Sequence, residues 1–111
     1  MPLEALVWDV VVSSIEQHSP KKPSLKHIHP NASIASLYEE DGDAFERTLL
    51  NIVHYFRTRP NPISLTLNVS PEDQFETFDK VSDVFLYFLI RVQGIDPYIY
   101  DLMKDIEALE E

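Results

Sequence analysis

Across Pro60 and Pro62 the spacing of the apolar residues changes from a helical period to a period of two. Before the prolines, Phe45, Leu49, Ile52, Val53 and Phe56 recur on one face of a helix that runs to about Arg57. After them, Ile63, Leu65, Leu67 and Val69 alternate with Ser64, Thr66, Asn68 and Ser70, the pattern of a half-buried strand over 63–69. A lone strand leaves its N–H and C=O groups without partners. It would pair with residues 6–12 of the same chain, with its own copy across a twofold axis, or with an extended segment of another protein. The remaining option is an extended loop bonded to water. This choice constrains the fold more than any other feature.

The other segments read mostly as helix. Residues 3–17 carry Val10, Val11 and Val12, which favour a strand by propensity, but Asp9, Ser13 and Glu16 form one polar face at helical spacing. A buried helix is the better reading. Residues 18–30 hold three prolines, three lysines and three histidines, and form a loop. Asn31 is a natural cap for a short helix bearing Ile34, Leu37 and Tyr38, with Gly42 at its left-handed end. Asp43 and Glu46 have capping-box spacing for the helix that follows. Ser70 and Pro71 open a helix continuing to Gln93 and stopping at Gly94, and Asp96 with Pro97 starts a last one with Ile99, Leu102, Met103, Ile106 and Leu109 on one face. The expected fold is mainly α: a single domain over 1–111, a compact bundle of four to five helices with one short β-strand at 63–69, pairing within the chain (α+β) or across a dimer.

Composition excludes several chemistries. The chain has no Cys, so there is no disulfide scaffold, thiolate metal site or Cys nucleophile. Its two glycines leave no material for a phosphate-cradling loop. A net charge of −10 opposes direct binding to a nucleic-acid backbone. The N-terminus lacks the basic region of a secretory signal, and the longest apolar run, Val84–Ile90, is far short of the roughly 20 residues a membrane span needs. A cytoplasmic location follows as the expectation. No Gly-x-Ser-x-Gly, His-Glu-x-x-His or Gly-x-x-x-x-Gly-Lys pattern occurs, and no carboxylate pair stands out among 19 acids, so no catalytic residue is nominated. His27 and His29 point to the same side of an extended chain, the one spacing compatible with a metal ion, but nothing fixes further ligands. His54 reads as a packed helix residue. No cofactor or metal is expected.

The charge is unevenly placed. Residues 1–38 are net neutral, 39–59 carry −2, and 60–111 carry −8. On one continuous helix from Pro71, Glu72, Glu76, Asp79 and Asp83 would lie within roughly 60° of one another. The same line continues into Tyr87 and Ile90, so an acidic row gives way to an apolar one. Such a row is ordinarily a solvated face; beside an apolar centre it suits a basic, partly hydrophobic partner. The Val84–Ile90 run, apolar on every side, means either burial all round or an exposed apolar patch that serves as an interface, and burial of a central helix is the favoured reading. Tyr98 is a further candidate anchor. The leading expectation is therefore a small acidic protein-interaction module (adaptor, chaperone-like factor or inhibitor) without catalysis, contacting its partner through Glu72, Glu76, Asp79, Asp83, Tyr87, Ile90 and Tyr98. The alternatives are a structural homodimer through Ile63, Leu65, Leu67 and Val69, or a small metal-dependent enzyme using His27 and His29.

Overall fold

A computed structural model describes residues 3–21, 28–60, 62, 63, 65, 67, 69 and 73–94. Their helices are α1 (Leu3–His18), α2 (Ile34–Tyr38), α3 (Gly42–Thr58), α4 (Gln74–Thr77) and α5 (Val81–Val92). The molecule is mainly helical, and no sheet forms among the described residues.

Helix α1 is the hub, packed against both α3 and α5. Its valines, poor helix formers in isolation, are retained because Val7, Val10, Val11, Val12 and Ile15 are all buried. Each contributes about 1.5–3 kcal/mol of apolar burial, against a propensity cost below about 1 kcal/mol per residue. Asp9 and Ser13 stay exposed, as the polar spacing requires. The stripe on α3 is buried as expected and is extended by Ala44 and Thr48.

Two caps differ from the sequence reading. Ser33, not Asn31, caps α2, its side chain accepting from the Ser36 N–H. Asp41, not Asp43, caps α3, accepting from the N–H groups of Asp43 and Ala44, so Gly42 begins α3 rather than ending α2. The left-handed turn between these helices is made by Glu39 and Glu40, with φ of 51° and 61°.

The helix expected from Pro71 to Gln93 is broken. Phe78 ends α4, and Lys80 starts α5 in an extended conformation. The reason lies nearly fifty residues upstream. The Ile34 N–H donates to the Asp79 carbonyl at 2.9 Å, while those of Val81 and Ser82 donate to the carbonyls of Ala32 and Pro30 at 3.0 and 2.9 Å. Helix starts expose unpaired donors, and here the starts of α2 and α5 are satisfied by each other's flanking chain. Ser33 and Lys80 form the isolated antiparallel bridge at the centre of this exchange. A chain of ring contacts closes the same corner: Tyr38 meets Phe45, Phe45 meets Phe75 and Phe78, and Phe78 meets Tyr87 at centroid distances of 5.1–5.6 Å.

The strand expected at 63–69 is not formed among the described residues of that segment. Its facing was legible: Leu65 is buried, and Ile63, Leu67 and Val69 pack on the core. Two backbone groups are satisfied by α3 instead of a ladder. Ile63 N–H donates to the Phe56 carbonyl at 2.8 Å, and the Arg57 guanidinium donates to the Leu65 carbonyl at 2.7 Å.

Candidate interaction surface

The break between α4 and α5 rearranges the expected acidic row. Glu76 is exposed on α4, Asp79 is exposed in the connecting segment, and Asp83 lies in the first turn of α5. They no longer share one helical line. Asp83 is half-buried, and its Oδ2 accepts the N–H groups of Asp79 and Lys80 at 3.1 and 3.0 Å. That carboxylate is committed to holding the break and is a capping group before it is a contact for a partner. Asp73 and Glu76, with Asp79, remain as exposed carboxylates in this stretch, with Lys80 the cation beside them. Glu72 lies outside the described residues.

The apolar continuation is also redistributed. Ile90 is buried at 7% exposure and belongs to the interior. Tyr87 is half-buried between the rings of Phe78 and Phe88, with the Arg91 guanidinium 3.4 Å from its ring centroid. Arg91 also donates to the Tyr87 carbonyl at 3.1 Å, so this cation is held one turn back along its own helix. Val84 and Phe88 are fully buried, but the expectation that Val84–Ile90 is enclosed on every side does not hold: Leu86 is 37% exposed and Phe85 half-buried.

Leu86 and Phe85 open onto a groove that sequence reasoning missed. It lies between α1 and α5, has a volume of about 510 Å³, and is lined by Glu4, Ala5, Trp8, Pro30, Phe85 and Leu86 along with Ser82. Trp8 and Phe85 meet edge to face at 5.6 Å and form its floor. The signal lay in Trp8 and Ala5 on a helix otherwise read for its valines. Two helices meet here through large rings.

A second groove, about 300 Å³, runs between α1 and α3 past Asp9, Ser13, Gln17, Asn51 and Tyr55. Asn51 donates to the Ser14 hydroxyl at 2.9 Å, which joins the two helices beneath it. These groups can form hydrogen bonds.

Among the described residues, the remaining nominated ones do not assemble into a centre. His54 is exposed on α3 and not packed as its sequence context suggested; His29 is exposed too, His18 is half-buried at the end of α1, and His27 lies outside the described residues. Among the described residues no group of three or more His, Cys, Asp or Glu is arranged to hold a metal ion. Tyr98 and the expected last helix also lie outside them. No helix among the described residues is long and apolar enough to cross a membrane. Comparison with known protein families, with curated proteins and with solved structures returns no match.

Proposed function

We propose that this protein is a non-catalytic protein-interaction module for a basic partner. The observation that carries the reading is the placement of charge: residues 60–111 hold −8 of the net −10, and three of the four described acids of that stretch, Asp73, Glu76 and Asp79, are exposed on the surface around the α4–α5 break. A one-sign field of this kind speeds encounter with an oppositely charged surface and repels nucleic acid. Asp83 is left out of the contact set because its carboxylate is occupied as a cap.

The test is a comparison of wild type with the double variant Glu76→Lys, Asp79→Lys as bait at low salt, the captured proteins being identified by mass spectrometry. The reading expects a captured protein of basic surface whose recovery falls with added salt and with the double reversal. Recovery of the same protein by both baits removes the acidic surface from the mechanism.

A further inference from the structure

We propose that the groove between α1 and α5 is the anchoring site of that partner, and that its occupant is a cationic amphipathic helix laying one or two apolar side chains over Trp8, Phe85 and Leu86. This rests on the basic-partner reading and adds where the affinity comes from. The lining is apolar except for Glu4 and Ser82, and Leu86 stands 37% exposed beside the half-buried rings of Trp8 and Phe85. Glu4 and Trp8 stand one turn apart on α1, so a carboxylate position and an aromatic position lie roughly 6 Å apart along the groove.

Charge selects among occupants. A second copy of this chain brings another −10, and the chain's own stretch 95–111 carries six acids and one lysine. Both meet Glu4, exposed at the groove, with charge of the same sign. A helix with lysines or arginines flanking its apolar face meets charge of the opposite sign. The apolar lining supplies the attraction that survives salt, and Glu4 with the net negative charge of the chain supplies the part that does not.

Trp8 is the only tryptophan, so its emission reports occupancy of the groove directly. The full chain is titrated with a synthetic Leu/Lys amphipathic peptide of about 14 residues, long enough for roughly four turns, and with a Leu/Glu peptide of the same pattern. The Leu/Lys peptide is expected to give a saturable change in Trp8 emission that weakens with salt, and the Leu/Glu peptide none. Leu86→Asn, which keeps the charge, is expected to weaken binding by at least about tenfold. Ala5→Gln, which fills the groove with a good helix former, is expected to act likewise. Leu50→Asn, at a 50% exposed leucine on α3 away from the groove, is expected to bind as wild type. Circular dichroism melts establish that each variant is folded.

The proposal is overturned by equal binding of both peptides, by no binding of the Leu/Lys peptide, or by unchanged affinity in Leu86→Asn and Ala5→Gln. It is also overturned by sedimentation as a dimer that Leu86→Asn dissociates, which would give the groove to a second copy. Binding that survives Leu86→Asn and Ala5→Gln but is lost in Glu76→Lys, Asp79→Lys overturns the groove while leaving the basic-partner reading standing.

Discussion

Two residues show how local chemistry is constrained here. Tyr38 is fully buried, with its hydroxyl bonded to Thr48. The Thr48 hydroxyl donates to the Ala44 carbonyl, so Tyr38 is the donor in the pair. Burial pushes the phenol well above its ordinary value of 10.0, and the Thr48 hydroxyl, able to turn toward a phenolate only by leaving Ala44, offsets part of that. The folded pKa exceeds the unfolded one, so the neutral phenol's contribution is fully present below about pH 10 and is lost as pH rises above it, where the unfolded chain releases the proton first. Urea midpoints across the alkaline range are expected to fall above about pH 10. In Tyr38→Phe the stability is expected to start lower, by about 1 kcal/mol for the lost hydrogen bond, and the midpoint to fall less steeply with pH. Equal slopes in the two proteins would remove Tyr38 as the cause. Glu40 is the second case, a non-glycine residue at φ 61° whose N–H is engaged by the Ala35 carbonyl. The left-handed conformation costs a residue with a Cβ about 1–2 kcal/mol, and glycine returns about 0.5–1 kcal/mol of that through chain entropy. Glu40→Gly is therefore expected to raise stability by about 0.5 kcal/mol, read as a melting temperature higher by about 2–3 °C. Glu40→Ala, which keeps the Cβ, is expected to show no such gain.

At the scale of elements, the decisive feature is the break at Phe78–Lys80, and Asp83 is its keystone. Truncating a residue whose carboxylate accepts two helix-start donors costs about 1 kcal/mol. Asp83→Ala is expected to melt about 4–8 °C lower, with faster amide exchange at Asp79 and Lys80; Asp83→Asn, which keeps an acceptor, is expected to recover much of both. A melt and exchange profile like wild type would mean that the break is held by the 30–34 segment alone. The same feature explains what the sequence could and could not reveal. Side-chain periodicity encodes the buried faces of α1 and α3 and the inward side of Ile63, Leu65, Leu67 and Val69. It carries no trace of backbone donors that find carbonyls dozens of residues away, so one helix through Phe78 is expected where two form, and a strand partner is expected where Phe56 and Arg57 partly replace it. The exposed positions suffered for the same reason. Breaking the helix took Asp83 out of the row, and on α5 Ile90 is buried while Leu86 is exposed. The groove at Trp8 depends on how two helices far apart in sequence meet, and no local pattern encodes that.

For the molecule as a whole, the open competition is between the acidic surface and the chain's own cations. Residues 18–30 carry Lys21, Lys22 and Lys26 within the net-neutral stretch 1–38, while the excess of acid lies in residues 60–111. If self-repulsion among the acids dominates, screening stabilises the fold; if internal pairing with the lysines dominates, screening destabilises it. The two cases differ in sign, so one measurement separates them. The exposed positions of Asp73, Glu76 and Asp79 favour the first. Raising NaCl from about 10 mM to about 0.2 M shortens the screening length from about 30 Å to below about 10 Å, and the melting temperature is expected to rise by a few degrees. Glu76→Lys with Asp79→Lys reduces the net charge from −10 to −6, so that variant is expected to melt above wild type at low salt and to gain less from added salt. A melting temperature that falls with salt, together with destabilisation in the charge-reversed variant, would mean that those carboxylates are engaged internally. The surface offered to a basic partner would then shrink toward the α1–α5 groove, where recognition would rest on Trp8, Phe85 and Leu86 more than on charge.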